Sequence, residues 1–194
     1  MPVADQVNLV KPSHPLGDRV SVFGAGGKTT LAKAIARRRD LELIEIDWIR
    51  WMPEWMLRTD DEVEKIVTER MESSPRGWVT DHNERFLLQR AESVILLELP
   101  FRTIFWRRLT RSIHRAWTKE PVCGGNTETF RQHFTSRESA IWEAWQRRKR
   151  YGRIYETVSG QIPPGVDLYR IRTPRELDRF YQFHDLSRKA PLTD

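Results

Sequence analysis

An α/β fold built on one mostly parallel sheet is predicted by three observations: short apolar, β-branched runs, helical periodicities between them, and a glycine turn joining the first run to the first helix. The runs are Arg19–Phe23, Leu41–Ile46, Trp78–Thr80, Val94–Leu99 and Leu168–Arg172. Strands alternating with helices at these intervals make a parallel sheet covered on both faces. The expectation is a five-stranded, three-layer fold, with residues 1–18 a loose leader, 19–187 a single domain and 188–194 a tail. A length of 194 residues and a hydrophobic content of 39% suit one globular domain.

The first strand and helix carry the main motif, Val22-Phe23-Gly24-Ala25-Gly26-Gly27-Lys28-Thr29-Thr30. A strand, a glycine turn and a helix opening on Gly-Lys-Thr is how a phosphate-binding loop is made. Backbone N–H groups and the helix N-terminus hold the oxyanion, the lysine reaches the outer phosphates, and the first threonine holds Mg²⁺. Gly24, Ala25, Gly26, Gly27, Lys28, Thr29 and Thr30 are therefore candidate nucleotide ligands. The spacing is short: two residues separate Gly24 from Gly27 where four are usual. Either the strand stops early and the loop begins at Val22, or the loop is two residues short. A glycine-rich turn that binds no nucleotide is the plain alternative.

Leu41–Ile46 alternates and is followed by Asp47, an acid at the carboxyl end of a strand; it is either a turn residue or the group that orients or deprotonates an acceptor hydroxyl. Trp48–Trp55, interrupted by Pro53, reads as a loop or short turn packed on the sheet. Asp60 or Asp61 caps a helix reaching about Met71, with Val63, Ile66, Val67 and Arg70 on one stripe. Trp78-Val79-Thr80 is followed by Asp81, placed to hold Mg²⁺ with Thr29. Val94–Leu99 is almost wholly apolar, as a strand buried on both faces is. Because ligands bind beyond the carboxyl ends of parallel strands, Gly24, Asp47 and Asp81 should meet at one rim.

Phe101–Trp117 reads as a helix with Phe105, Leu109, Ile113 and Trp117 on an apolar stripe, and Arg107, Arg111 and Arg115 on a second face. The arginines are either a solvated face or an anion dock. Gly124 and Gly125 are candidate hinges of a lid spanning about 101–158. A helix over Ser136–Arg153 sets Trp142 and Trp145 before Arg147-Arg148-Lys149-Arg150. Thr173-Pro174-Arg175-Glu176 forms a capping box for the last helix.

The net charge of +6 is concentrated: residues 101–155 hold 13 Lys/Arg against 4 Asp/Glu, while the remainder is nearly balanced. A polyanion partner is expected there, nucleotide phosphates or a nucleic-acid backbone. The single cysteine, Cys123, excludes an internal disulfide framework. With no membrane-length apolar run and no basic-then-apolar leader, the expectation is a cytoplasmic protein with no membrane partner.

Together these pieces resemble the FlaR-related, or DNA topology modulation, P-loop proteins, which group with adenylate kinase-like kinases. The matching residues are Leu43-Ile44-Glu45-Ile46-Asp47, Gly77-Trp78-Val79-Thr80-Asp81-His82-Asn83, Leu97-Glu98-Leu99-Pro100, Arg107, Arg111, Arg115, Gly125-Asn126, Glu128 and Ser136-Arg137-Glu138-Ser139. The sequence departs from that pattern in the short loop, at His82 where glycine is usual, and at Thr127 where arginine is usual. The resemblance implies an ATP-binding, kinase-like fold with a mobile basic lid. On this reading Lys28, Asp47, Arg107, Arg111 and Arg115 are catalytic, Thr29 and Asp81 hold the metal, ATP and Mg²⁺ are the cofactors, and a small phosphate acceptor is the other partner. Two further readings are a nucleic-acid-associated protein using 101–155, and a P-loop protein without turnover.

Overall fold

The computed structural model describes residues 8–118, 121–122, 126–127 and 151–188. Its elements in order are β1 (Asn8–Val10), β2 (Arg19–Gly24), α1 (Lys28–Arg39), β3 (Glu42–Ile44), α2 (Ile46–Arg50), a 3₁₀ turn (Pro53–Trp55), α3 (Asp60–Glu72), β4 (Trp78–Thr80), α4 (Arg85–Leu88), β5 (Ser93–Leu97), α5 (Phe101–Thr118), β6 (Pro121–Val122), β7 (Asn126–Thr127), α6 (Tyr151–Ser159), β8 (Asp167–Ile171) and α7 (Pro174–Phe183). Six strands form one sheet in the order β1-β8-β5-β2-β4-β3, with every described pairing in it parallel. β6 and β7 form a separate antiparallel pair.

The alternation of β5 explains the layering. Val94 and Leu96 enter one core with Ile44, Val63, Val67, Trp78 and Leu87, while Ile95 and Leu97 enter the other with Leu31, Ile35, Tyr169, Leu177 and Phe180. Helices α1 and α7 thus cover one face, and α2, α3, α4 and α6 the other. A strand buried on both faces has no polar side to show, hence its unbroken apolar run.

The sheet has six strands, not five. The extra one is β1, in the segment expected to be a loose leader; three residues are too few for a periodicity to declare itself. From Asn8 on, this segment is tied down. β1 pairs with β8, Leu16 is buried, the Tyr169 hydroxyl donates to the Pro15 carbonyl at 2.7 Å, and Arg39 donates to the Leu16 carbonyl at 2.9 Å.

Strand β3 is shorter than expected and gives way to α2. Ile46 and Ile49 are buried at helical spacing, and Trp51 N–H donates to the Asp47 carbonyl at 3.1 Å. Asp47 therefore lies in the first turn of a helix, where the dipole favours an anion, and not at the end of a strand. The cap of α3 is Thr59, one residue ahead of the expected Asp60. Its hydroxyl accepts from Glu62 N–H at 3.3 Å while Glu62 accepts from Thr59 N–H at 3.0 Å, a complete capping box. Thr59→Ala should cost about 1 kcal/mol, read as a lower midpoint in urea unfolding with an unchanged slope. On α7, Thr173 accepts from Glu176 N–H as expected, but Glu176 reaches back to Arg172 N–H, so the box is displaced by one residue.

Helix α5 has the expected span, but its buried ridge is set one residue away from the expected stripe. Ile104 is 1% exposed, while Ile113 is 48% exposed. Packing beside the glycine loop, where Ile104 lies against Gly26, selects the ridge. The expected lid residues Gly124, Gly125, Trp142, Trp145 and Arg147–Arg150 lie outside the described residues, as do Cys123 and Glu128. No helix among the described residues is long and apolar enough to cross a membrane.

Candidate functional site

The loop question has a definite answer. Val22, Phe23 and Gly24 pair with Ile95, Leu96 and Leu97, so β2 runs unbroken through Gly24 and the turn is the short one. Only Ala25, Gly26 and Gly27 lie between the strand and α1. The glycines are required. Gly24 has φ +118, and a Cβ there would stand 2.3 Å from the Leu97 carbonyl oxygen; Gly27 has φ +144, with Arg107 Nη1 3.2 Å from where its Cβ would be. Only glycine takes such backbone angles freely.

Gly27 is the N-cap of α1 and offers no side chain to the helix. The first N–H groups of α1 have no intrahelical acceptor and, with the helix dipole, form a positive pole at the rim. Lys28 Nζ donates to the Asp81 carbonyl oxygen at 2.9 Å and pairs with Asp81 Oδ2 at 3.2 Å; the Thr29 hydroxyl donates to the same Oδ2. Lys28, Thr29 and Asp81, 53 residues apart in sequence, thus share one point at the sheet's rim. This follows from β2 and β4 being adjacent and parallel.

From Asp81 a chain of charges runs toward β3. Asp81 Oδ1 lies 3.2 Å from His82 Nδ1, and His82 Nε2 lies 3.3 Å from Asp47 Oδ1. The Ser21 hydroxyl fixes the turn by donating to the His82 carbonyl. Burial opposes charge on His82, but the carboxylates of Asp47 and Asp81 overcome it and hold its pKa up at about 9. At neutral pH it is an imidazolium donating from both ring nitrogens. Asp81 would be raised by burial, yet His82, Lys28 and Thr29 drive it far below the usual carboxylate range. Asp47 is lowered mainly by its hydrogen bond to His82, and its side chain remains 47% exposed.

The loop, Asp47 and Asp81 line one cleft of about 710 Å³. Trp48, Trp51 and Trp55 wall its β3 end; Arg107, Tyr181 and Arg188 come from the β5–β8 side. Arg107 donates from Nη1 to the Gly26 carbonyl, and burial together with nearby Arg188 pushes its pKa down. Arg188 sits 4.3 Å from the centre of the Tyr181 ring and pairs with Asp178 at 2.6 Å. A second cavity of the same size lies at the β1 edge. Two of its three lining guanidinium groups, Arg170 and Arg172, are held by Glu98, and no residue of the loop lines it, so the chemistry is placed in the first.

All the loop residues, Lys28, Thr29, Asp47, Asp81 and Arg107 are therefore brought together. Arg111 and Arg115 lie on the backbone of α5, with their side chains outside the described residues. No protein-family model matches this sequence, and no curated protein matches it. The site stands on its own geometry. Sequence reasoning missed His82 as the link between the two aspartates, although its position directly after a strand-end acid was a visible signal. It also missed Arg188, expected to begin a frayed tail, and the tryptophans, which face the cleft: Trp48 is 49% and Trp55 40% exposed.

Among the described residues no group of three or more His, Cys, Asp or Glu side chains forms a dedicated metal cage. One hydroxyl and one carboxylate oxygen do converge, from Thr29 and Asp81. That donor set suits a hard cation that keeps most of its waters and takes its remaining ligands from phosphate, as Mg²⁺ does.

Proposed function

We propose that this protein is a Mg-ATP-dependent phosphotransferase with a P-loop kinase-like site, as the resemblance to FlaR-related proteins implies. The observation that carries the proposal is the convergence of Lys28, Thr29 and Asp81 at an uncapped helix N-terminus. Three glycines, all at positive φ angles that side-chain-bearing residues seldom adopt, leave the backbone bare there for an oxyanion.

On this reading the α1 N–H groups take the phosphate oxygens, and Lys28 exchanges Asp81 for the outer phosphates. Thr29 and Asp81 would hold Mg²⁺, whose charge would offset that on those phosphates. Arg107, now on a loop carbonyl, is positioned to turn to the anion. The acceptor oxygen gains its bond to phosphorus as the bridging P–O bond breaks. A carboxylate held below its usual pKa is a weak base, so Asp47 orients the acceptor hydroxyl and receives its proton late in transfer, passing it to water. His82 keeps Asp47 in register with the metal ligand.

The test is thermal unfolding with and without Mg-ATP. At a hundredfold excess over Kd, binding stabilises by about 2.7 kcal/mol, a rise in Tm of about 5–10 °C for a chain this size. Lys28→Ala should abolish that rise. Absence of a shift in the unsubstituted protein would defeat the proposal and leave a P-loop fold without nucleotide.

A further inference from the structure

The two ends of the cleft differ in chemistry, and the difference points to the acceptor. The cations lining it come from the loop, from α5 and from the segment after α7: Lys28, Arg107, Arg108 and Arg188. The residues lining its β3 end are Glu45, Asp47 and three tryptophans. The described cations near that end are already engaged, Lys33 with the lining Glu45 itself. Lys33 pairs with Glu45 at 3.0 Å, Arg50 with Asp60 and Glu84, and Arg58 donates to the Ile49 carbonyl. His82 offsets Asp47. Among the described residues this end is close to neutral, aromatic, and supplied with a half-exposed carboxylate.

Trp55 is held there by backbone that a side-chain-bearing residue seldom adopts, while Trp48 and Trp51 come from α2 and its C-cap. Glu54 and Trp55 are successive left-handed residues with φ 60 and 58. The turn is kept by Met52 N–H donating to the Met56 carbonyl at 2.9 Å, Arg58 N–H to the Arg50 carbonyl at 3.0 Å, and the Trp51–Leu57 bridge. Trp55 stands edge-on to Trp51 with ring centres 5.5 Å apart. Ring and carboxylate thus line the same cleft.

Resting on the phosphotransfer reading, we infer that the acceptor is an unphosphorylated heteroaromatic alcohol, nucleoside-like in character, whose ring stacks on Trp48 and Trp55 and whose hydroxyl meets Asp47. Flat heteroaromatic rings stack on tryptophan without regard to ring identity. A phosphorylated acceptor would meet Glu45 and Asp47 with no arginine among the described lining residues of that end. With Lys33 and His82 already committed to those two carboxylates, its phosphate would go without a counter-ion there.

Calorimetric titration of the full chain tests this with the donor site filled by a non-hydrolysable Mg-ATP analogue. Adenosine, uridine and thymidine are compared with their 5′-monophosphates and with glucose. At least one nucleoside should bind, its monophosphate at least tenfold more weakly. Trp48→Ala and Trp55→Ala should each weaken nucleoside binding at least tenfold while the analogue's affinity stays within twofold; both side chains are too exposed for their loss to unfold the chain. Tighter binding of the monophosphate, binding of glucose alone, or indifference to both substitutions overturns the inference. If the analogue binds and no ring alcohol does, this inference falls and the phosphotransfer reading stands. If the analogue itself does not bind, both fall.

Discussion

Asp81→Ala should lower stability at pH 7 by about 2–4 kcal/mol and remove the stabilisation by Mg-ATP. Asp81 is 4% exposed and its two oxygens serve three partners: Lys28, Thr29 and His82. Removing it leaves the His82 imidazolium with Asp47 alone and the Lys28 ammonium with only the residue-81 carbonyl, and breaking a buried pair from one side costs more than the pair contributes net. The 30% exposure of Lys28 lets water recover part of the loss, which keeps the figure below the range for fully buried pairs. Asp81→Asn keeps the shape and one acceptor, so it should cost about half as much. Urea unfolding gives the stability difference. An NMR titration of His82 gives a second, independent reading: without Asp81 its pKa should fall well below about 9. A substitution costing under 0.5 kcal/mol and leaving the His82 titration in place would contradict the charge chain.

Raising the pH from 6 to 9.5 without divalent cation should cost the folded state about 3 kcal/mol. In the unfolded chain His82 loses its proton near its ordinary 6.5; in the folded chain Asp47 and Asp81 keep it protonated to about 9. Below 6.5 both states carry the charge and the full benefit is present. Between the two values the unfolded state alone sheds its proton, so stability declines with pH, and beyond 9 the benefit is gone. The 2.5-unit gap converts at 1.36 kcal/mol per unit, which gives the figure. Asp47 and Asp81 act in the opposite sense. Both pKa values are lowered, so their contribution is present above the ordinary carboxylate range and is lost as pH falls through it. Stability should peak near pH 5–6.5. In His82→Gln the alkaline decline between 6.5 and 9 should vanish. Its survival in that variant would assign the decline to another group.

The layered sheet was legible because its central strands are long enough to show their pattern: Val94 to Leu97 can only be a strand buried on both faces. β1 was not, since three residues carry no period and its partner lies at the other end of the chain. Gly24, Lys28 and Thr29 were legible as local chemistry, and strand adjacency put Asp81 beside them. Asp47 was found as a residue but misread as a strand end, because Leu41–Ile46 alternates right up to it and the helical pair Ile46 and Ile49 is too short to declare a period. His82 and the tryptophan wall were hidden for another reason. Each depends on a turn of irregular backbone, and neither the Asp81–His82 direction nor the left-handed pair at Glu54–Trp55 is encoded by periodicity. The phase of α5 was misjudged because contact with Gly26, not the spacing of its large residues, chooses Ile104.

The pairing of Asn8 with Asp167, 159 residues later, has a consequence for the order of assembly. Among the described strands β1 has no other neighbour in the sheet, so it stays unzipped until the chain has emerged through Ile171 and β8 has docked. Closing so large a loop is slow relative to local contacts. Of the described strands of this sheet β1 is thus made before its only partner and shelved after it, and in pulse-labelling exchange its amides should become protected after those of β2 and β5.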